Sequence, residues 1–203
     1  MDQKAFYKLT YGLFLLTARE EGRDNGCIIN TAIQVANDPA RLAFAVLKGN
    51  HTHDMLVRTG VFAISSISTA ATFDLFRRFG MQSGRDVDKF EGFEDVERGG
   101  NDLLYLTKGA NMTMSGRIVE QLDLGTHTLF VAEVGDAVVL SEEPSCTYAY
   151  YQSDIKPQKA APAKKKQWVC TVCGYVYEGD PLPEDFVCPW CKHGPEDFVL
   201  QEG

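Results

Sequence analysis

The chain has 203 residues, enough for one ordinary domain with a small second one, or for two small domains. It is 44% hydrophobic and 24% charged, and it has no run of about 18 apolar residues of the kind that crosses a membrane. Its net charge of −8 and the lack of a basic face argue against nucleic-acid binding, because phosphate contacts need grouped lysines and arginines.

The N-terminal residues and the cysteines indicate the compartment. No basic stretch leads into an apolar run with a small-residue cleavage site, so we expect no secretory signal and a cytoplasmic location. In a reducing compartment, six cysteines favour metal binding or redox chemistry over disulfides. Cys27 and Cys146 stand apart from the other four, and we expect both to be small buried hydrophobic residues.

Residues 1–153 are predicted to form a mainly β domain with two helices, Thr52–Thr59 before Gly60 and Thr69–Phe79 before Gly80. Many short strands with few helices favour a closed antiparallel barrel. The predicted strands are Leu13–Arg19, Cys27–Val35, Leu42–Lys48, Val61–Ile67, Leu103–Thr107, Met112–Glu120, Thr126–Val134 and Ala137–Leu140, with a closing strand at Tyr148, Tyr150 and Tyr151.

Residues 154–167 are predicted to be a flexible linker. The segment reads DIKPQKAAPAKKKQ, and its five lysines and one aspartate give it a net charge of +4. It has almost nothing to bury, so we expect an extended, mobile chain. The grouped lysines leave binding to RNA or to a membrane surface open as an alternative role for this segment.

Residues 168–203 are too few to fold without a metal or disulfides. Cys170, Cys173, Cys188 and Cys191 form two Cys-x2-Cys pairs separated by 14 residues, which can give four thiolates to one tetrahedral metal ion. Gly174 suits a tight turn after the first pair because glycine tolerates a positive φ. The spacing alone leaves iron, a structural zinc ribbon and two disulfides open.

The residues around these cysteines resemble a rubredoxin. The shared pattern is Cys-x-x-Cys-Gly-Tyr-x-Tyr followed by Cys-Pro-Trp-Cys, with Trp168 and Phe198 as further aromatic residues. The loop between the pairs is shorter than in stand-alone rubredoxins and looks like that of the rubredoxin module of rubrerythrins. Lys192 stands where rubredoxins usually have glycine. The resemblance implies one iron held by four cysteines, which transfers one electron at a time.

Residues 1–152 contain no Rossmann fingerprint and no P-loop. They resemble instead the FMN-binding split-barrel domain of the flavin reductase family, in four segments that follow one another in order. The resemblance implies bound FMN, NAD(P)H as the hydride donor and a homodimer with the flavin near its interface. The segments are Asn30–Val35, Lys48–His53, Phe79–Phe90 and Leu124–Val131, the last with the pattern G-x-H-x-x-F.

The resemblance and the residue chemistry together predict the flavin contacts. Polar side chains and backbone N–H groups at a helix start suit a phosphate, and cations strengthen such a site. We expect the isoalloxazine ring to lie along Asn30, Thr31, Ala32, Ile33, Gln34 and Val35. The phosphate-side residues are Lys48, Asn50, His51, Thr52, Ser83, Gly84, Arg85 and Lys89. His127 is either a catalytic residue or a structural histidine on the barrel exterior.

A flavin reductase-like domain followed by a rubredoxin-like domain resembles the high-molecular-weight rubredoxins of anaerobes. This resemblance implies electron flow from NAD(P)H through FMN and iron to a partner protein, with a flavodiiron O2 or NO reductase as the expected partner. Three alternatives stay open: a ferric or free-flavin reductase with an internal relay, an electron carrier without a nicotinamide site, and a flavin-storage barrel joined to a zinc ribbon.

Overall fold

The computed structural model describes residues 1–157, 166–179 and 181–202. The chain divides into two compact units, Met1–Pro157 and Gln158–Gly203. The described residues are mainly β, as the sequence predicts. Across these residues, no helix is both long enough and apolar enough to span a membrane.

The first unit contains nine strands. They are β1 (Phe14–Glu20), β2 (Arg23–Ile29), β3 (Ala32–Asn37), β4 (Ala40–Leu47), β5 (Val61–Ile67), β6 (Val96–Arg98), β7 (Leu104–Leu106), β8 (Ala110–Asp123) and β9 (His127–Val139). Seven form one antiparallel sheet in the order β2-β1-β5-β8-β9-β4-β3, and β6 pairs only with β7. The strands β2 and β3 lie at opposite edges, yet only Asn30 and Thr31 connect them. The sheet must therefore curl so that its edges meet, which gives the predicted split barrel.

Two α-helices pack against strands β1 and β2 of this sheet: α1 (His51–Thr59) and α2 (Phe73–Gly80). The predicted end of α1 is confirmed, because Gly60 takes the left-handed conformation, with φ 67°, and its N–H donates to the Leu56 carbonyl. The predicted start of α2 at Thr69 is wrong. Thr69 donates its N–H to the Pro144 carbonyl, so this stretch pairs with another segment before the helix begins.

Several strand predictions need correction. Tyr148–Tyr150 is a helical turn that runs into a π-helical turn, Tyr151–Ile155, and the Thr147 hydroxyl caps it by accepting from the Tyr150 N–H. The predicted strand Cys27–Val35 breaks at the corner between β2 and β3. The predicted strands Thr126–Val134 and Ala137–Leu140 are one strand, β9, because pairing with β8 continues on both sides of a bulge that leaves Gly135 unpaired. The short strand β6 was not predicted, and residues Gln3–Lys8 form a 3-10 helix.

Strand β1 is buried on both of its faces. Its residues alternate, so Leu16 packs in one core cluster, with Phe44 and Phe130, while Leu15 packs in another, with Phe79. Helix α1 supplies side chains to the first cluster and α2 to the second. Each buried leucine or phenylalanine stabilises the fold by about 1.5–3 kcal/mol, so the two helices are held firmly against the strands.

The second unit contains β10 (Lys166–Cys170), β11 (Val176–Tyr177) and β12 (Phe198–Glu202), in the order β11-β10-β12, with a 3-10 turn at Pro195–Asp197. Its small core packs aromatic rings around the four cysteines, of which Cys170 and Cys188 are buried. Within the predicted linker, Asp154 and Ile155 belong to the helical turn, while residues 166 and 167 begin β10. Residues 158–165 lie outside the described residues, so an extended linker there stays a prediction.

Candidate functional site

The four cysteines of the second unit lie together in space. Their Sγ atoms are all within 4.8 Å of one another, with 3.6 Å between Cys170 and Cys191 and 3.5 Å between Cys173 and Cys188. Four sulfurs placed about 2.3 Å from one metal at tetrahedral angles lie about 3.8 Å apart, so the spacing fits such an ion. All four cysteines are free, and their separations exceed the roughly 2.05 Å of a disulfide, so the two-disulfide alternative is wrong.

Two equivalent turns carry these cysteines. In the first, the Gly174 N–H donates to the Cys170 carbonyl at 2.9 Å, and in the second the Lys192 N–H donates to the Cys188 carbonyl at 2.9 Å. Both turn residues have positive φ, 76° at Gly174 and 64° at Lys192. Lysine thus keeps the turn geometry that glycine has in the first pair, although a left-handed conformation costs a non-glycine residue about 1–2 kcal/mol.

The thiol pKa values show the conflict that a metal ion would remove. At Cys191 the His193 N–H favours the thiolate, but burial and the three neighbouring cysteines raise the pKa to about 12. At Cys188 burial disfavours the thiolate, but the N–H groups of Cys191 and Trp190 lower the pKa to about 6. Four crowded thiols cannot all ionise without a cation, and a bound metal stabilises all four thiolates. The donor set therefore fits a metal.

The first unit has a cavity of about 270 Å³ where β2, the start of α1 and the segment after α2 meet. This cavity brings together two of the segments that the sequence predicts for a flavin phosphate. Its lining residues are Cys27, Ile28, Gly49, Asn50, His51, Thr52, Phe79, Gly80, Met81, Gln82, Ser83, Gly84 and Lys89. Six of the predicted contact residues are among them: Asn50, His51, Thr52, Ser83, Gly84 and Lys89.

The cavity is suited to an anion in two ways. Helix α1 begins on its wall, and the first N–H groups of a helix have no partner within the helix. Lys89 is only 4% exposed, and its ammonium donates to the carbonyls of Gly26 at 2.9 Å and Phe79 at 3.0 Å. Burial lowers the pKa of Lys89, since neutral carbonyls do not fully replace water around the charge. A bound anion would compensate this buried charge.

Two predicted cations lie outside the cavity wall. The Arg85 guanidinium donates to the Asp54 carboxylate at 2.6 Å and lies 3.4 Å from His51 Nδ1. The hydrogen bond to Asp54 is the main reason why the pKa of that carboxyl is lowered. Lys48 forms an ion pair of 2.6 Å with Asp123, in the hairpin between β8 and β9. Both residues are therefore held by carboxylates, and their contact with a cofactor stays a prediction.

The predicted isoalloxazine segment does not line this cavity. Asn30 and Thr31 form the corner between β2 and β3. The Thr31 hydroxyl donates to the Ala45 carbonyl and accepts from the Ala45 N–H, each at 3.2 Å. Further along the edge strand β3, the Gln34 amide donates to Asn37 at 2.8 Å, and Ile33 is 64% exposed. Ala32 and Val35 belong to the same edge strand, so the role of this segment also stays a prediction.

Three further residues bear on the predicted site: His127 at the start of β9, and Cys27 and Asn25 on β2. His127 is half-buried at the start of β9, where its Nδ1 lies 2.9 Å from the Thr126 hydroxyl, and its catalytic role stays a prediction. Cys27 is 5% exposed, as predicted, but its position on the cavity wall was not foreseen. Sequence reasoning missed Asn25, whose amide donates to the Thr52 hydroxyl at 3.0 Å. A polar residue on the buried face of a strand was the signal that could have identified it.

Known proteins match both units of the chain. The model of the flavin reductase like domain family matches residues 6–159, and that of the rubrerythrin, rubredoxin-like domain matches residues 168–199. A protein of Moorella thermoacetica named high molecular weight rubredoxin is 35% identical, with 98% of this chain and 99% of that protein covered. A ferric-chelate reductase (NAD(P)H) of Archaeoglobus fulgidus is 36% identical over 74% of this chain and 89% of its own length.

Solved structures resemble the first unit. A flavoredoxin from Methanosarcina acetivorans superposes with a TM-score of 0.58 at 25% identity, covering 66% of this chain and 70% of that one. An NADH:FAD oxidoreductase of Streptomyces globisporus C-1027 superposes with a TM-score of 0.66 at 22% identity, covering 79% and 92%. At that identity the second match supports the fold alone.

Proposed function

Because this chain belongs to the flavin reductase-like family and carries a C-terminal rubredoxin-like domain, as the high-molecular-weight rubredoxins do, we propose that it transfers electrons from NAD(P)H through FMN and one iron to a partner protein. The observation that carries this proposal is the presence, in one chain, of an anion-suited cavity in the barrel and a four-sulfur metal site. When bound, FMN accepts two electrons as a hydride, and a four-thiolate iron exchanges them one at a time.

The residues of the first unit have distinct tasks in this proposal. Thr52 and the N-terminal N–H groups of α1 hold the FMN phosphate, and the Lys89 ammonium supplies the opposite charge. Arg85, held by Asp54 and beside His51, adds positive charge next to the cavity wall. In the second unit, Cys170, Cys173, Cys188 and Cys191 bind the iron, and the backbone N–H groups of the two turns stabilise the thiolates.

The outer face of the barrel supports a homodimer as the working form. Cross-strand partners share a face of the sheet. Ile33 of β3, Leu47 of β4 and Leu122 of β8 therefore lie on the same outer face, since β9 pairs with both β4 and β8. The buried Phe44 and Phe130 point to the opposite face. These three side chains are 64%, 44% and 57% exposed. An exposed apolar sheet face marks an interaction site. Pairing of two copies here would also cover β3, where the predicted isoalloxazine contacts lie.

The proposed electron acceptor is a flavodiiron protein that reduces O2 or NO. Residues 168–203 carry seven acidic residues and one lysine, a net charge of −6, which suits docking on a basic surface. A second candidate acceptor is a ferric chelate, because the match to the Archaeoglobus ferric-chelate reductase covers the first unit. Activity toward a ferric chelate that survives replacement of Cys188 would favour this second function.

Anaerobic titration of the purified protein with NADH or NADPH tests the relay. We expect the flavin absorbance to bleach and the iron–thiolate bands to disappear with it. The matched control is Cys188→Ser, which removes one iron ligand and leaves the first unit unchanged, so its flavin should still bleach. If the flavin of the native protein is reduced while the iron stays oxidised, the relay is wrong. If neither nucleotide bleaches the flavin, the proposed hydride step is wrong.

A further inference from the structure

We propose that Asn25 is a positioning residue, which makes the Thr52 hydroxyl a hydrogen-bond donor to the cofactor phosphate. This inference rests on the proposed function, because it concerns the same cavity. Asn25 lies on β2 and is only 3% exposed, while Thr52 lies in the first turn of α1 and has no exposed surface. The Asn25 amide nitrogen donates to Thr52 Oγ1 at 3.0 Å.

The direction of this bond decides what Thr52 can do. A hydroxyl that accepts from an NH₂ group keeps its own proton to donate elsewhere. The Cys27 thiol also lines this cavity, where burial raises its pKa and the neighbouring Thr52 hydroxyl lowers it. Sulfur is a weak acceptor, whereas a phosphate oxygen is a strong one. The Thr52 proton is therefore available to an anion that enters the cavity.

Asn25 also contacts the opposite wall. A Cβ atom at Gly84 would lie 2.1 Å from Asn25 Oδ1, so the backbone of residue 84 approaches this side chain as closely as only glycine permits. One buried amide thus touches both α1 and the segment after α2, the two parts of the chain that hold the predicted phosphate contacts. Asn25 therefore fixes the distance between α1 and the segment after α2, and it leaves the Thr52 hydroxyl free to act as a donor.

The isosteric variant Asn25→Asp reverses the direction of the hydrogen bond between residues 25 and 52. An ionised carboxylate only accepts hydrogen bonds, so it would take the Thr52 proton and place a negative charge beside the phosphate. The affinities for FMN and for riboflavin, which lacks the phosphate, are measured by fluorescence quenching on the flavin-free full chain. We expect Asn25→Asp to weaken FMN binding at least tenfold and riboflavin binding less than threefold.

Thr52→Val provides a second, independent variant, because it removes the donor and keeps the shape. It should also weaken FMN selectively, and the double variant should show less than the sum of the two losses. Equal losses for FMN and riboflavin, or an unchanged FMN affinity, would show that Asn25 is only structural. If Asn25→Asp does not fold, the FMN-to-riboflavin ratio of Thr52→Val decides. If the native protein binds neither flavin, the proposed function itself fails.

Discussion

Gly174 and Lys192 occupy equivalent positions in the two cysteine turns, and we expect substitutions at these positions to change the unfolding free energy in opposite directions. Lys192 has φ 64° and Gly174 has φ 76°, and a Cβ at Gly174 would meet no atom within 4 Å, so only the backbone conformation decides the effect of substitution there. The left-handed conformation costs a non-glycine residue about 1–2 kcal/mol, and the greater freedom of glycine in the unfolded chain offsets part of this. We expect Lys192→Gly to raise the free energy of unfolding of the second unit by about 1 kcal/mol, and Gly174→Lys to lower it by a similar amount.

Urea unfolding of the zinc-loaded, flavin-free protein measures both variants. The only two tryptophans of the chain, Trp168 and Trp190, belong to the second unit, so their fluorescence reports on it alone. Lys192→Gln is the matched control, because it removes the charge but keeps the side chain and the strain, and it should leave the unfolding free energy nearly unchanged. A stabilisation by Lys192→Gln as large as that by Lys192→Gly would assign the effect to charge and refute the backbone argument.

Three further predictions concern the metal and the cavity. Removing the metal with a chelator should unfold residues 166–202 and leave the circular dichroism of the barrel intact, since so small a unit depends on its metal. Gly84→Ala should lower the melting temperature and the flavin content, because its Cβ would overlap Asn25, whereas Gly100→Ala, with open space around it, should change neither. Lys89→Met should lower the free energy of unfolding by about 1–3 kcal/mol in urea titrations, because it leaves two carbonyls of the core without their donor.

The metal site was predictable from the sequence because its ligands lie in two short turns. The spacing of Cys170 and Cys173, and of Cys188 and Cys191, limits where the sulfurs can lie, whatever the rest of the chain does. The strands of the barrel were also largely predictable, since hydrophobic alternation is a local property. The tyrosines at 148–151 were assigned to a strand from their β propensity, but the Thr147 cap and the packing of Tyr151 on Phe76, with ring centroids 4.5 Å apart, favour a helical turn.

The cavity depends on long-range structure, and sequence reasoning identified it only in part. The resemblance located the segments around Thr52 and Gly84, but it did not reveal that Arg85 and Lys48 are held by carboxylates outside the cavity wall. Those ion pairs form between residues 31 and 75 positions apart, and no local pattern predicts them. Asn25 was missed for the same reason, because its partner is 27 residues away.

The cavity and the cysteine site depend on different core residues, so we expect a destabilising substitution in one core to affect only one site. The cavity exists only while the sheet holds β2, α1 and the segment after α2 together, and that arrangement depends on core residues such as Phe44 and Phe79. The cysteine site depends on its own turns and on a separate aromatic cluster. Phe44→Ala, which typically costs a core about 3–5 kcal/mol, should therefore release flavin while the iron–thiolate bands of the same sample persist. Joint loss of both chromophores at one denaturant concentration would mean that the units unfold as a single cooperative structure.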